Sequence, residues 1–197
     1  MTADHWDGRY ASVDSRQVSW FQADPAVSLE LISRAAPAPA SVVDVGGGAS
    51  VLVDRLLEAG YHDVTVVDIS GAALRETHDR IGESPVHFVE TDVRDWQPAR
   101  TFDVWHDRAA YHFDAGDRAH YWDLVRESLP HGGHVVMATF AEDGPQMCSG
   151  LPVQRHSVAD LVREMGAGFT LVEDRREEHV TPAGGTQSFV WILARRT

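Results

Sequence analysis

The sequence predicts an α/β fold: a doubly wound, mostly parallel sheet of seven strands, with helices on both faces and a C-terminal antiparallel hairpin. Short apolar runs alternate with helical patterns five times, which is typical of a parallel sheet covered by helices. The last two apolar segments are joined by a short Pro- and Gly-rich turn, so they must run antiparallel. The length of 197 residues fits a single domain.

The N-terminal residues 1–36 are predicted to form a helical lid that precedes the α/β core of residues 41–197. Asp24-Pro25 predicts the start of a helix, with the aspartate as N-cap and the proline in the first turn. The run Ala35-Ala36-Pro37-Ala38-Pro39 has the composition of a linker, and it separates this segment from the core.

The core elements follow in order from their apolar patterns. One helix ends at Gly60, Ser70 caps the next, a third carries Tyr121 and Leu129, and Ser157 opens the last with a capping-box pattern. The parallel strands are predicted at Val42–Val45, Val64–Val67, Val86–Val89, Phe102–Trp105 and Val135–Phe140, and the hairpin at Phe169–Val180 and Ser188–Ala194. Ligands of such sheets bind beyond the carboxyl ends of the strands, so the site is expected there.

Composition excludes several chemistries. All 17 basic residues are arginine, which rules out a lysine Schiff base, a lysine general base and the lysine of a P-loop. The 30 acidic residues give a net charge of −13, so neither nucleic acid nor an anionic membrane is an expected partner. The eleven histidines lack metal-binding spacing, and we expect no metal.

The single cysteine, Cys148, cannot form an internal disulfide, which favours a reducing compartment. The N-terminus does not resemble a signal peptide, and no apolar run approaches the length of a membrane span. These features predict a soluble, cytoplasmic protein. The sequence does not indicate its oligomeric state.

Acids and glycines mark the ends of successive strands. Asp44-Val45-Gly46-Gly47-Gly48 joins the first strand to its helix, and Asp68 ends the second strand twenty residues past Gly48. That spacing places a carboxylate where it can bind both hydroxyls of a ribose. With Asp92 after the third strand, the set favours a nucleoside site over three solvated acids.

A dinucleotide is disfavoured at this site. Gly46-x-Gly48 is followed by Ser50, so the third glycine that lets a pyrophosphate reach the helix is missing. Asp44 would also repel a pyrophosphate, whereas it suits a cationic ligand that carries an ammonium group. A Rossmann dehydrogenase is therefore a distant alternative.

This set of residues resembles the pattern of the class I S-adenosylmethionine-dependent methyltransferases, which have a Rossmann-like sheet that ends in an antiparallel hairpin. The resemblance covers about residues 41–194, and Ser50 departs from the third glycine of many members. It implies S-adenosylmethionine as the cofactor, with the glycines near its methionine part, Asp68 at the ribose, and Asp92 and Val93 at the adenine. The implied cofactor-binding residues of the core are Asp44, Gly46, Gly47, Gly48, Asp68, Ile69, Asp92 and Val93.

The N-terminal aromatic residues carry a second resemblance. His5-Trp6-Asp7-x-x-Tyr10 and Ser19-Trp20-Phe21-Gln22 are similar to small bacterial methyltransferases that act on small molecules. They also resemble thiopurine and thiol methyltransferases, in which an N-terminal aromatic segment closes over the cofactor. The resemblance implies Tyr10 and Trp20 at the cofactor and Trp6 and Phe21 in the substrate pocket.

The segment after the predicted fourth strand holds the candidate catalytic residues. His106 is a candidate general base, although methyl transfer often needs none, and Arg108 can hold an anionic group of the acceptor by a bidentate contact. Asp107 can orient either residue, or pair with Arg108 to hold the loop. Tyr111, His112 and Phe113 are candidate walls of the acceptor pocket, with a loop histidine as the plainer interpretation of His112.

The loop of residues 144–153 is a candidate substrate lid because glycine, proline, Met147 and Cys148 lie together after the fifth strand. Cys148 is placed in the substrate pocket, with a small buried apolar side chain as the plainer interpretation.

These observations predict transfer of a methyl group from S-adenosylmethionine to an oxygen, nitrogen or sulfur atom of a small-molecule acceptor. Methylation of a protein side chain is one alternative. A nucleoside-binding regulatory protein without turnover is another.

Overall fold

The computed structural model describes residues 2–113, 116 and 118–197. The helices are α1 (Ala3–Ser12), α2 (Ala26–Ala35), α3 (Leu52–Glu58), α4 (Gly71–Ile81), α5 (Arg118–Ser128) and α6 (Val158–Met165). The strands are β1 (Val42–Val45), β2 (Val64–Asp68), β3 (Val86–Glu90), β4 (Val104–Arg108), β5 (His134–Phe140), β6 (Met147–Cys148), β7 (Leu151–Pro152), β8 (Phe169–Val180) and β9 (Thr186–Arg196). Short 3₁₀ turns cover Val93–Asp95 and Tyr111–Phe113.

Seven strands form one sheet in the order β3-β2-β1-β4-β5-β9-β8. Strands β1 to β5 pair in parallel, whereas β9 runs antiparallel to β5 and β8 antiparallel to β9. The strand order reverses between β1 and β4, which opens a crevice at their carboxyl ends. The predicted sheet with its terminal hairpin is confirmed.

Both faces of the sheet are covered by helices. On one face, α5 and α6 pack Tyr121 and Leu161 over the sheet, and on the other α2 and α3 pack Ile32 and Leu56. All four residues of β1 are consequently buried, as expected for a central parallel strand. No helix among the described residues is long and apolar enough to cross a membrane.

The fourth strand begins and ends later than the sequence predicted. The prediction was Phe102–Trp105, whereas β4 covers Val104–Arg108. The start is set by pairing with β1, which places Val104 opposite Val42. Phe102 and Asp103 lie in the connection, where the Asp103 carboxylate accepts hydrogen bonds from the backbone N–H and hydroxyl of Ser41. The three candidate catalytic residues 106–108 are therefore part of the strand, and their side chains alternate between its faces.

The N-terminal segment contains two helices rather than the one that was identified. Helix α1 begins after Thr2, and helix α2 has Pro25 at its N-cap position without a side-chain hydrogen bond, so the predicted Asp24 cap is wrong. Asp7 of α1 accepts hydrogen bonds from the Ser70 hydroxyl (2.6 Å) and the Ala72 N–H (3.1 Å) at the start of α4. Helix α1 is thereby fastened to the core.

The capping box of α6 is formed as predicted, and it provides a test of local stability. The Ser157 hydroxyl oxygen accepts from the Asp160 N–H at 3.1 Å, while Asp160 accepts from the Ser157 N–H at 3.0 Å. We expect Ser157→Ala to lower the free energy of unfolding by about 1 kcal/mol, measured by urea denaturation. The matched control is Ser84→Ala in the turn after α4, and equal stability of the two variants would contradict the capping role.

Candidate functional site

Two cavities meet at the carboxyl ends of β1, β2 and β4. The first cavity has about 710 Å³ of space, part of it open to solvent, and the second about 560 Å³. Both are lined by Tyr10, Trp20, Gly46 and Arg108. The first is lined in addition by Trp6, Val45, Val67, Asp68, Ile69, Thr91, Asp92, Val93, Ala109, Ala110, Phe113 and Cys148.

The glycine turn after β1 forms a close-fitting floor, in which Gly46 lines both cavities and Gly47 the second, whereas Gly48, predicted to bind the cofactor, lines neither. Gly46 has a φ of +70°, and a Cβ atom at this position would lie 2.8 Å from Cβ of Ala110. At Gly47 a Cβ would lie 2.5 Å from the Asp44 carboxylate, and at Gly48 2.8 Å from that of Asp68. Side chains at these positions would displace the acids, so the turn requires glycine.

Two of the predicted acids line the first cavity. Asp68 at the end of β2 accepts a hydrogen bond from the Ser70 N–H (2.8 Å), and burial raises the pKa of its carboxyl to about 7. Asp92 accepts from the N–H of Arg94 at 3.0 Å and from its guanidinium, which lowers the pKa of Asp92. The carboxyl group of Asp68 can therefore accept further hydrogen bonds, whereas that of Asp92 is already paired with Arg94.

Asp44 faces the second cavity and is held by His106. Nδ1 of His106 lies 2.7 Å from Oδ1 of Asp44, and Nε2 lies 3.0 Å from Oγ of Ser28 in α2. Because a carboxylate only accepts, Nδ1 donates to Asp44, and in the neutral imidazole Nε2 then accepts from the serine hydroxyl. His106 is 2 % exposed and lines the second cavity rather than the first. The position expected of a general base is therefore not the one His106 occupies.

Asp107 points to the opposite face of the sheet. Its carboxylate accepts from the Tyr121 hydroxyl (2.5 Å) and from the N–H groups of Ala110 (2.9 Å) and Tyr111 (3.1 Å). Burial raises the pKa of Asp107 to about 6. The expectation that Asp107 orients His106 or pairs with Arg108 is wrong, because strand alternation separates it from both. It fixes the turn that follows β4.

The side chain of Arg108 lies on the same face of the sheet as that of His106, and it lines both cavities. Its Nη1 donates to the carbonyl oxygen of Trp20 at 3.1 Å, and its guanidinium carbon lies 4.4 Å from the centre of the Phe189 ring. Burial lowers the pKa of Arg108 to about 10.

Aromatic side chains from the N-terminal segment cover the first cavity. The Trp6 ring makes edge contacts with Trp20 (5.7 Å between centroids) and with Phe113 (5.3 Å), and Tyr10 packs on Trp20 (6.4 Å). Phe21, expected in the substrate pocket, lines the second cavity instead. We define Trp6, Tyr10, Trp20 and Phe113 as the aromatic cover.

Two of the expected pocket walls lie in the core, because the 3₁₀ turn after β4 directs only Phe113 towards the cavity. The Tyr111 hydroxyl donates to Glu164 (2.7 Å) and accepts from the Trp122 indole (2.9 Å). His112 is fully buried and packs on Phe113 and Phe140. Burial lowers the pKa of His112 to about 3. His112 thus lies in the connection after β4, as the loop interpretation has it, but its side chain is buried.

Cys148 lies where it was expected, in the wall of the first cavity. It belongs to β6, part of a small hairpin with β7 within the predicted lid loop. Burial raises the pKa of its thiol to about 12, so the side chain is neutral.

Four residues of the cavity walls were not predicted from the sequence: Ser28 in the second cavity and Thr91, Ala109 and Ala110 in the first. Thr91, Ala109 and Ala110 adjoin the ends of strands, a position from which they could have been predicted. No sequence pattern indicates Ser28, because it reaches the site from α2.

Comparison with known proteins agrees with this geometry. Residues 42–133 match the sequence model of a methyltransferase domain. No curated protein sequence matches the chain. Three similar solved structures show the same fold, at 15 to 23% sequence identity.

A structure described for the conversion of a disulfide bond into a thioacetal group during echinomycin biosynthesis has a TM-score of 0.80 at 17% identity, covering 98% of this chain and 91% of that one. The N-methyltransferase NodS of Bradyrhizobium japonicum, solved with S-adenosylhomocysteine, has 0.76 at 15% identity, covering 100% and 99%. The 1,6-didemethyltoxoflavin-N1-methyltransferase of Burkholderia thailandensis, solved with its acceptor and S-adenosylhomocysteine, has 0.73 at 23% identity, covering 98% and 84%.

The raised pKa of Asp68 predicts a pH dependence of stability. The folded pKa of about 7 exceeds the ordinary value of 3.8, so the group stabilises the fold fully below the lower value and loses this contribution as pH rises through the higher one. We expect the free energy of unfolding of the cofactor-free protein to fall across this window, by at most about 1.4 kcal/mol per pH unit.

Asp68→Asn should remove this component of the pH dependence, as measured by urea unfolding at several pH values across the window. The control is Asp24→Asn, which changes an exposed acid outside both cavities. The same slope in the Asp68→Asn variant and the unsubstituted chain would contradict a raised pKa.

Proposed function

We propose that the chain is a class I S-adenosylmethionine-dependent methyltransferase whose acceptor is a nucleophilic oxygen, nitrogen or sulfur atom of a small molecule. The aromatic cover carries this proposal. Trp6, Tyr10 and Trp20 pack with Phe113 over the first cavity, which leaves a covered, mostly apolar space. Such a space suits a small acceptor better than the side chain of a folded protein.

The glycine floor and the acids support a definite placement of S-adenosylmethionine. The side-chain-free surface of Gly46 and Gly47 would hold its methionine part, with Asp44 positioned for the ammonium group. In the first cavity, Asp68 would accept from the ribose hydroxyls, while Ile69, Asp92 and Val93 would border the adenine. Tyr10 and Trp20 would cover the cofactor where the two cavities meet.

S-adenosylmethionine supplies a methyl group on a positively charged sulfur, which a nucleophile displaces in line. The residues of the chain then have to orient the two reactants and exclude water. The glycine floor and Asp68 would fix one reactant, and the aromatic cover would exclude water. His106 contributes indirectly, because it positions Asp44. Asp107 also contributes indirectly, because it positions the turn that carries Phe113.

We infer that the described residues of the two cavities remove no proton from the acceptor. Cys148 is neutral because of its raised pKa, Asp92 is paired with Arg94, and both ring nitrogens of His106 are engaged. Asp68 is assigned to the ribose hydroxyls. An acceptor atom that arrives deprotonated satisfies this condition.

Binding of S-adenosylhomocysteine tests the placement of the cofactor. We expect calorimetry to detect S-adenosylhomocysteine and not NAD, and Asp68→Asn to weaken the binding at least about 30-fold, since one acceptor oxygen and the negative charge are lost. Asp24→Asn should bind like the unsubstituted chain. Unchanged affinity in the Asp68→Asn variant would refute the ribose contact.

A second prediction separates a positioning role of His106 from a role as general base. His106→Phe leaves Asp44 and Ser28 unpaired, so we expect a loss of about 1–3 kcal/mol in unfolding free energy and weaker S-adenosylhomocysteine binding. His106→Gln can still donate to Asp44 and should recover part of the affinity. A residue that served only as a base would leave this affinity unchanged in both variants.

The acceptor class is tested with methyl-labelled S-adenosylmethionine. The protein is incubated with thiols, phenols, carboxylic acids and amines in one set of reactions, and with protein extract in another. Label in a small molecule supports the proposal, and label in protein alone would support side-chain methylation instead.

A further inference from the structure

Arg108 has contacts on two sides of its guanidinium and no hydrogen-bond partner on the third. The Phe189 ring packs against the guanidinium, with 4.4 Å from its centre to the guanidinium carbon, and the carbonyl oxygen of Trp20 accepts from Nη1. The remaining nitrogens, Nε and Nη2, are buried and have no hydrogen-bond partner in the described part of the chain. Unpaired charged donors in a buried position are unfavourable, so this edge is built to receive an acceptor atom.

Glu177 is the acid that acts most strongly on the charge of Arg108, but it does not supply that acceptor atom. Glu177 interacts with Arg108 only through space, because its carboxylate accepts from the Gln22 amide (2.9 Å) and the Trp191 indole (2.8 Å). A part-buried arginine elsewhere shows the usual arrangement: Arg80 donates through Nε and Nη2 to Asp54 at 3.1 and 2.9 Å. Arg108 presents the same two donors without the carboxylate.

We propose that the acceptor of the methyl group carries a carboxylate, which Arg108 binds through Nε and Nη2. These two N–H groups are parallel and match the two oxygens of a carboxylate, which is the strongest geometry available to arginine. The proposal rests on the proposed function and names the class of its substrate. The remainder of the acceptor is apolar, because Trp6, Phe113 and Cys148 line the cavity beside Arg108.

The carboxylate of the cofactor's methionine part is a second source of the same chemistry, since Arg108 lines both cavities. The neighbours of the guanidinium favour the carboxylate of the acceptor over that of the cofactor. The positive charge of Arg108 acts on the thiol of Cys148, which lines the first cavity and not the second. Both nitrogens are screened from solvent, so water does not compete with a carboxylate for them.

The test uses the full chain saturated with S-adenosylhomocysteine. Phenylacetate and indole-3-acetate are titrated by calorimetry against their neutral amides, phenylacetamide and indole-3-acetamide. We expect the acids to bind at least about tenfold more tightly than the amides, and Arg108→Gln to abolish this preference. Arg16→Gln, which changes an exposed arginine outside both cavities, should retain it.

Several results would overturn the proposal. These are equal binding of acids and amides, no binding of either acid, or a preference that survives Arg108→Gln. If that variant does not fold, Arg108→Lys, which keeps the charge but loses the parallel donors, serves in its place and should show a reduced preference.

The source of the carboxylate is resolved by comparing S-adenosylhomocysteine with 5′-methylthioadenosine, which lacks the amino-acid part. Arg108→Gln should bind both as the unsubstituted chain does. Weakened binding of S-adenosylhomocysteine alone would assign Arg108 to the cofactor and overturn the acceptor assignment. Failure of the unsubstituted chain to bind S-adenosylhomocysteine would instead refute the placement of the cofactor.

Discussion

The parallel pairing of β1 with β4 is the constraint on which the site depends. The register places Asp44 opposite His106 and Val45 opposite Asp107. It brings the Asp44 and His106 side chains to one face at hydrogen-bonding distance, and it sends Asp107 to the other face. The same register places Arg108 directly beyond the paired segment, beside the glycine turn. A shift by one residue would exchange these faces and dismantle both the floor and the anion-binding edge.

The N-terminal segment is part of this arrangement through its contacts with the core. Asp7 in α1 accepts from the hydroxyl and backbone groups that begin α4, and Ser28 in α2 donates to His106. The backbone carbonyl of Trp20 accepts from Arg108. The segment that carries most of the aromatic cover is therefore bonded to the arginine and, through His106, to an acid that border the cavities.

Charge is divided between the parts of the site. Asp44 and Asp68 make the side proposed for the cofactor acidic, which suits a ligand with a cationic sulfur and an ammonium group. Arg108 is the cation between the two cavities. In a chain whose cations are all arginine, a fixed planar guanidinium replaces the flexible ammonium of lysine, and it offers a carboxylate two directed donors.

The sequence by itself determined the sheet, the glycine turn and the acids at the strand ends. Each is a local pattern, since a glycine run follows an apolar strand and a parallel sheet carries all strand ends to one edge. The tertiary structure decided which of residues 106–108 faces the cavities, because that depends on the register between β1 and β4. It also decided that Phe113 rather than Tyr111 or His112 lines the first cavity, because the 3₁₀ turn sets that direction. Sequence spacing carries no information on either, since both follow from contacts between segments distant in the chain.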